Sequence, residues 1–149
     1  MTSSAKINNF RLWVLCTGIF NIVSYSTLPC PYTLNKFIAM TNSLNSFFGL
    51  GGASLSMPIN TATLMIMNLF GLFIVVLGIL LIVASQDILN RSWYVFWEGV
   101  IRIFAFLYIF YFVIFKNAAQ ILFLFGTIDL IIGMIYMYYI FSIPEVKIK

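Results

Sequence analysis

The chain has 149 residues, of which 62% are hydrophobic and 8% charged, with a net charge of +4 and no histidine. A soluble domain is usually about 45–50% apolar and about 25% charged, so a fold of this size has too little polar surface to be water-soluble. The basic residues are scattered at segment ends without a patch, which argues against a nucleic-acid partner, and the lack of histidine removes the usual haem ligand and the commonest metal ligand and proton shuttle.

A hydrocarbon core about 30 Å thick needs ~20 apolar helical residues. Four segments meet that need. The first runs over roughly 10–28, from Arg11 through "LWVLCTGIF" to "TLPCP". Its apolar stretch is long for the h-region of a signal peptide, so it reads as a retained span. Thr17, Asn21 and Ser24 line one of its faces. Cys16 and Cys30 form no CxxC motif, which argues against a thiol-redox enzyme.

The connection over roughly 29–61 is long. Phe37, Met40, Leu44, Phe47 and Phe48 recur in it at helical spacing, with Thr41, Asn42 and Asn45 between them. That pattern predicts a short external amphipathic helix lying in the outer membrane interface, either simply covering the bundle mouth or forming a lid over a lipid-accessible cavity. "GLGGAS" breaks it, and Met57-Pro58 leads into the second span, roughly 62–85. There Asn68, Gly71, Val75, Gly78, Ile82 and Ser85 alternate in steps of three and four. Such a seam of small and polar residues suits helix packing in lipid, where apolar side chains gain little by leaving the bilayer for each other.

The third span covers roughly 94–115. Trp93, Tyr94 and Trp97 at its start read as an interfacial aromatic belt. Inside it stand Glu98 and Arg102, four residues apart and therefore on one face. The fourth span, roughly 118–141, ends before Pro144 and aligns Gly126, Asp129, Gly133 and Tyr136. The fourth span runs opposite to the third, so at ~1.5 Å per residue Arg102 and Asp129 differ in depth by only several ångströms. A lone charge at that depth costs at least about 2.5–3.5 kcal/mol. A Glu98–Arg102–Asp129 cluster between adjacent spans would offset much of it through bidentate hydrogen bonds. Asn21 and Asn68 are secondary polar positions, expected to bond across helices.

The expected architecture is thus all-α: one integral-membrane four-helix bundle over 1–149 with an external interfacial segment. Lys6, Arg11, Arg91, Lys147 and Lys149 fall on one side of it, and Lys36 and Lys116 on the other, which makes both termini cytoplasmic. A bacterial inner membrane is the expected setting.

The layout resembles that of the DoxX-like superfamily of small four-span membrane proteins. The features carrying the resemblance are Arg11 opening the first span, the external amphipathic stretch, the "LSMP" entry to the second span (55–58), Gly71 and Gly78, and the short basic turn ending at Arg91. The resemblance covers roughly residues 10–91 and implies a helical bundle, some relatives being linked to quinone or redox complexes. That family often carries a glutamate in the second span, where this chain has Asn68 or a neighbour. No catalytic residue carries over.

No nucleophile with a base and no metal set is visible, so the expected function is a non-catalytic accessory subunit or homo-oligomeric scaffold. A second reading makes the Glu98, Arg102 and Asp129 cluster a site for a lipid-phase ligand, a lipid or a quinone. Arg102 would then hold an anionic or carbonyl group, with Tyr108 and Phe104 packing on the apolar part. A third is a small proton-coupled transporter working through Asp129. No cofactor is required by the residues. The expected partners are membrane lipid and a larger membrane complex or a second copy of the chain.

Overall fold

The computed structural model describes residues 3–146. Lys147 and Lys149, two of the basic residues used for orientation, lie outside the described residues. Five helices follow in order: α1 Ser3–Tyr25, α2 Pro31–Phe47, α3 Thr61–Gln86, α4 Ser92–Phe115 and α5 Ile121–Ser142. Among the described residues, α3, α4 and α5 are long and apolar enough to cross a membrane. α1 is long enough, but Asn8, Asn9, Arg11 and Asn21 dilute its hydropathy.

The helix ends follow local chemistry. Pro31 opens α2 at the first helical position, where its missing N–H would have had no partner. Asn60 caps α3, its Oδ1 accepting from Ala62 N at 2.8 Å. The second and third expected spans match α3 and α4 to within two residues. The first expected span is shifted: α1 begins earlier and ends at Tyr25, before the turn at 26–29.

Two antiparallel pairs form the body. In one, α1 runs along α3, with Gly18 set against Gly78. A Cβ on either glycine would lie 2.8 Å from the other's carbonyl oxygen, so only glycine permits this approach of backbones. Arg11 Nε donates to Ser85 O at 3.0 Å at one end of the pair. At the other, Leu28 packs on Gly71. In the second pair, α4 and α5 meet at Gly99 and Gly133, and Phe106 and Phe110 lie 5.8 and 6.1 Å from Phe123 between ring centres. The pairs join through Phe10, Val14, Leu81, Val95, Tyr136 and Ile140, all buried, with Phe10 stacked on Tyr139.

α2 and the segment after it cover one end of the bundle. The expected helix is present, with one face packed on the bundle. Leu34, Ile38, Thr41 and Asn45 are buried, whereas Met40 and Phe47 are 52% and 81% exposed. Hydrogen bonding explains the choice. Asn45 Oδ1 accepts from the buried Ile121 N at 2.9 Å, while its Nδ2 donates to Leu50 O. Asn42 exchanges two bonds with the Leu55 backbone. A polar face that satisfies buried backbone groups wins over an apolar face that can rest on lipid.

The same end explains why α5 starts at Ile121 rather than at the expected 118. Residues 51–53 pair with 117–120: Ala53 N donates to Asn117 O at 2.7 Å, Gln120 N to Gly51 O at 3.0 Å, and Gly51 N to Gln120 Oε1 at 2.9 Å. Gly52, at φ +89°, lies so close to the Ala118 carbonyl that a side chain has no room there.

Candidate functional site: a buried charge cluster across three helices

The spacing of Glu98 and Arg102 on α4 turns both side chains into the interior, and both residues are only 6% exposed. Arg102 Nε lies 2.7 and 2.8 Å from the two Glu98 carboxylate oxygens, and Nη2 lies 2.7 Å from Glu98 Oε1. Nη1 donates to Asp129 Oδ1 on α5. Nη2 also donates to Asn21 Oδ1 on α1 at 2.8 Å. One planar guanidinium therefore binds partners from α1, α4 and α5, a role suited to its rigid fork of donors.

The surroundings reinforce the cluster. The Gly99–Gly133 contact brings α4 and α5 close enough for Arg102 to reach Asp129, whose side chain is 18% exposed. Tyr25 lies within electrostatic range of Asp129 and Arg102. Tyr136 is fully buried, and its hydroxyl has no hydrogen-bond partner among the described residues. Two carboxylates and one guanidinium leave an excess of one negative charge when all are ionised.

The structure brings Glu98, Arg102 and Asp129 together, and it adds Asn21 to them as a direct ligand of the guanidinium. It separates Asn68 from them. Asn68 stands on α3, which contributes no member to the cluster; it is half-buried, and its Oδ1 is buried with no partner among the described residues, so the expected cross-helix bond is not seen there. Phe104 and Tyr108 are also corrected: they are 65% and 67% exposed and turn away from the cluster. With Glu98 and Arg102 turned to the interior, these two large side chains fall on the outer face of α4. Trp93, Tyr94 and Trp97 are exposed at the start of α4, with Trp93 and Tyr94 stacked.

Tyr25 escaped the sequence reading, although its position four residues after Asn21 places it on the same helix face. A groove of about 390 Å³ runs between α1 and α5, past Trp13, Thr17, Phe20, Ile128 and Ile132. A second cavity of about 290 Å³ lies beside Asn68. Glu98, Arg102 and Asp129 line neither one. Among the described residues, no three His, Cys, Asp or Glu side chains converge as metal ligands would.

Comparison with protein-family models, curated proteins and solved structures finds no match to this chain.

Proposed function

We propose that this chain is a non-catalytic membrane scaffold, acting as an accessory subunit of a larger complex or as an oligomer of itself, and that its charge cluster is a clamp fixing helix register. The observation supporting this is where the Arg102 donors go. Nε, Nη1 and Nη2 all bond to side chains of the chain itself, on three helices. A guanidinium committed in this way has little capacity left for a substrate, but it offsets the cost of its own burial.

The reading takes α1, α3, α4 and α5 as four spans. Its support is the register of α1 against α3. α1 and the turn after it touch α3 from Arg11–Ser85 to Leu28–Gly71. Along α3 that interval is about 21 Å at ~1.5 Å per residue, most of a hydrocarbon core about 30 Å thick. If α3 crosses the bilayer, α1 shares its depth. Lys6, Arg11 and Arg91 then mark the cytoplasmic end, with both termini on that side. α2 lies in the outer interface with Met40 and Phe47 toward lipid, and Lys36 sits 4.5 Å over the Tyr32 ring.

Native mass spectrometry of the protein, extracted gently from its own membrane, tests this reading. Release within a larger assembly or a homo-oligomer supports the scaffold. A monomer carrying a small molecule whose retention depends on Arg102 contradicts it.

A further inference from the structure

α1 differs from the other long helices in what can hold it in a bilayer. Among the described residues, α3, α4 and α5 are apolar enough to cross by composition, and α1 does not join them. A helix enters lipid on its own when its apolar side chains outweigh its polar ones. Asn8, Asn9, Arg11 and Asn21 work against that in α1. Two of these find their partners on later helices. Arg11 Nε donates to Ser85 O on α3, 74 residues on, and Asn21 Oδ1 accepts from Arg102 Nη2 on α4, 81 residues on. The tightest backbone approach of α1, Gly18 on Gly78, is also to α3.

We propose that α1 does not hold a span by itself, and that α1 and α3 enter the membrane together as a helical hairpin that carries α2 across between them. The inference rests on the reading of α1, α3, α4 and α5 as spans and adds how the first of them is secured. Three relationships support it. α1 packs mainly on α3, in the antiparallel sense a hairpin requires. The Gly18–Gly78 crossing lets the two backbones touch, and close packing of this kind drives helix association where lipid removes the hydrophobic force. The load is light: in residues 26–60 Lys36 is the one charged side chain, so translocating that stretch moves a single charge through hydrocarbon. The bond from Arg102 to Asn21 then forms when the α4–α5 pair closes on the hairpin, which makes the clamp the last contact to be completed.

Cys30, exposed at the start of α2, reports which side of the membrane α2 occupies. The full-length chain carrying Cys16→Ser is pulse-labelled in expressing cells, and sealed right-side-out vesicles are treated at once with a membrane-impermeant maleimide, before and after permeabilisation. Reading the newly made chain records topology before any unstable variant is degraded. In this background Cys30 should label from outside. Gly78→Leu keeps α3 apolar but blocks the approach to Gly18. It should lower outside labelling at least about twofold, because overpacking of this kind shifts a docking equilibrium by about fivefold or more. The missing label should return on permeabilisation. Adding Asn21→Leu, which makes α1 more apolar, should restore outside labelling although it removes the bond to Arg102. Gly126→Leu, in the α4–α5 pair, should leave the label unchanged. Outside labelling unaffected by Gly78→Leu would show that α1 crosses alone and overturn the proposal. An equal loss in Gly126→Leu, which marks general misfolding, or no recovery on adding Asn21→Leu would overturn it too. If Cys30 labels only after permeabilisation in the Cys16→Ser background, the four-span reading itself fails, and the hairpin with it.

Discussion

Asn21 on α1 accepts a hydrogen bond from Arg102 Nη2 on α4 at 2.8 Å, and this bond links the α1–α3 pair to the α4–α5 pair. Apolar packing, such as Phe10 against Tyr136 and Tyr139, also joins the pairs. Asn21→Leu keeps the volume and removes the acceptor, leaving a buried guanidinium donor unmet. Polar contacts between membrane helices average about 0.6 kcal/mol, and an unsatisfied buried donor raises the cost to about 1–3 kcal/mol. The expected outcome is a destabilisation of about 1 kcal/mol or more in reversible unfolding in mixed micelles. Asn21→Asp should retain more stability than Asn21→Leu, because it keeps an acceptor.

The Gly18–Gly78 crossing is the least forgiving contact of the α1–α3 pair. A Cβ at Gly78 meets the Gly18 carbonyl at 2.8 Å, and backbone cannot swing aside as a side chain can. Gly78→Ala is expected to cost about 1–3 kcal/mol by overpacking. At Gly126 an added Cβ meets only the Ile109 side chain, at 3.3 Å, so Gly126→Ala should be tolerated much better. Thermal aggregation midpoints of the two variants measure the contrast.

Asn45 fastens α2 and the following loop to the start of α5 through Ile121 N, Leu50 O and Gly51 O. Asn45→Ala strips these bonds and leaves a buried amide without a partner, at about 1–3 kcal/mol. Because the loss is local, hydrogen exchange should rise in residues 49–60 and at Ile121 while the α1–α3 interface keeps its protection.

Cys30 gives a pH-dependent readout at the α2 end. The Thr33 and Tyr32 backbone amides hold its exposed thiol below the usual thiol range. The thiolate is the reactive form. Its population therefore becomes substantial at a lower pH than for an ordinary thiol, and maleimide or iodoacetamide labelling at Cys30 should rise earlier as pH increases. Moving Thr33 and Tyr32 off the helix start with Pro31→Gly should shift that rise to higher pH. An unchanged labelling profile in a folded Pro31→Gly variant would count against the amide contribution.

Much of this arrangement is legible in the sequence, and the parts that are not have physical reasons. Glu98 and Arg102 stand out because nothing else in their segment is charged, and the four-residue step fixes their common face. Asp129 is visible in the same way among its glycines. The burial of Gly71, Gly78 and Ser85 follows from small-residue periodicity. The orientation of α2 does not. Periodicity detects its apolar edge, but what docks is decided by bonds from Asn42 and Asn45 to the Leu55 and Ile121 backbones, partners distant in sequence or lacking any side-chain signature. Asn68 misleads for a related reason. It stands in register with the glycine seam, but Leu28 fills the space at Gly71 and the chain turns away at Pro29, so no helix arrives opposite the amide. The late start of α5 comes from backbone pairing with residues 51–53, which no residue type announces.

The central claim is that Glu98, Arg102 and Asp129 hold the bundle together and have no other chemistry to perform. The most direct measurement compares unfolding free energies of Arg102→Met alone and of the neutral triple variant Glu98→Gln, Arg102→Met, Asp129→Asn. Removing one member of a buried ion cluster typically costs about 3–5 kcal/mol, whereas replacing the whole set with neutral groups is often close to harmless. The clamp predicts that Arg102→Met is severely destabilised, that the triple variant recovers most of the loss, and that the recovered protein still enters its native assembly. A stable Arg102→Met variant, or a stable triple variant that no longer assembles or supports the host membrane's function, would contradict it.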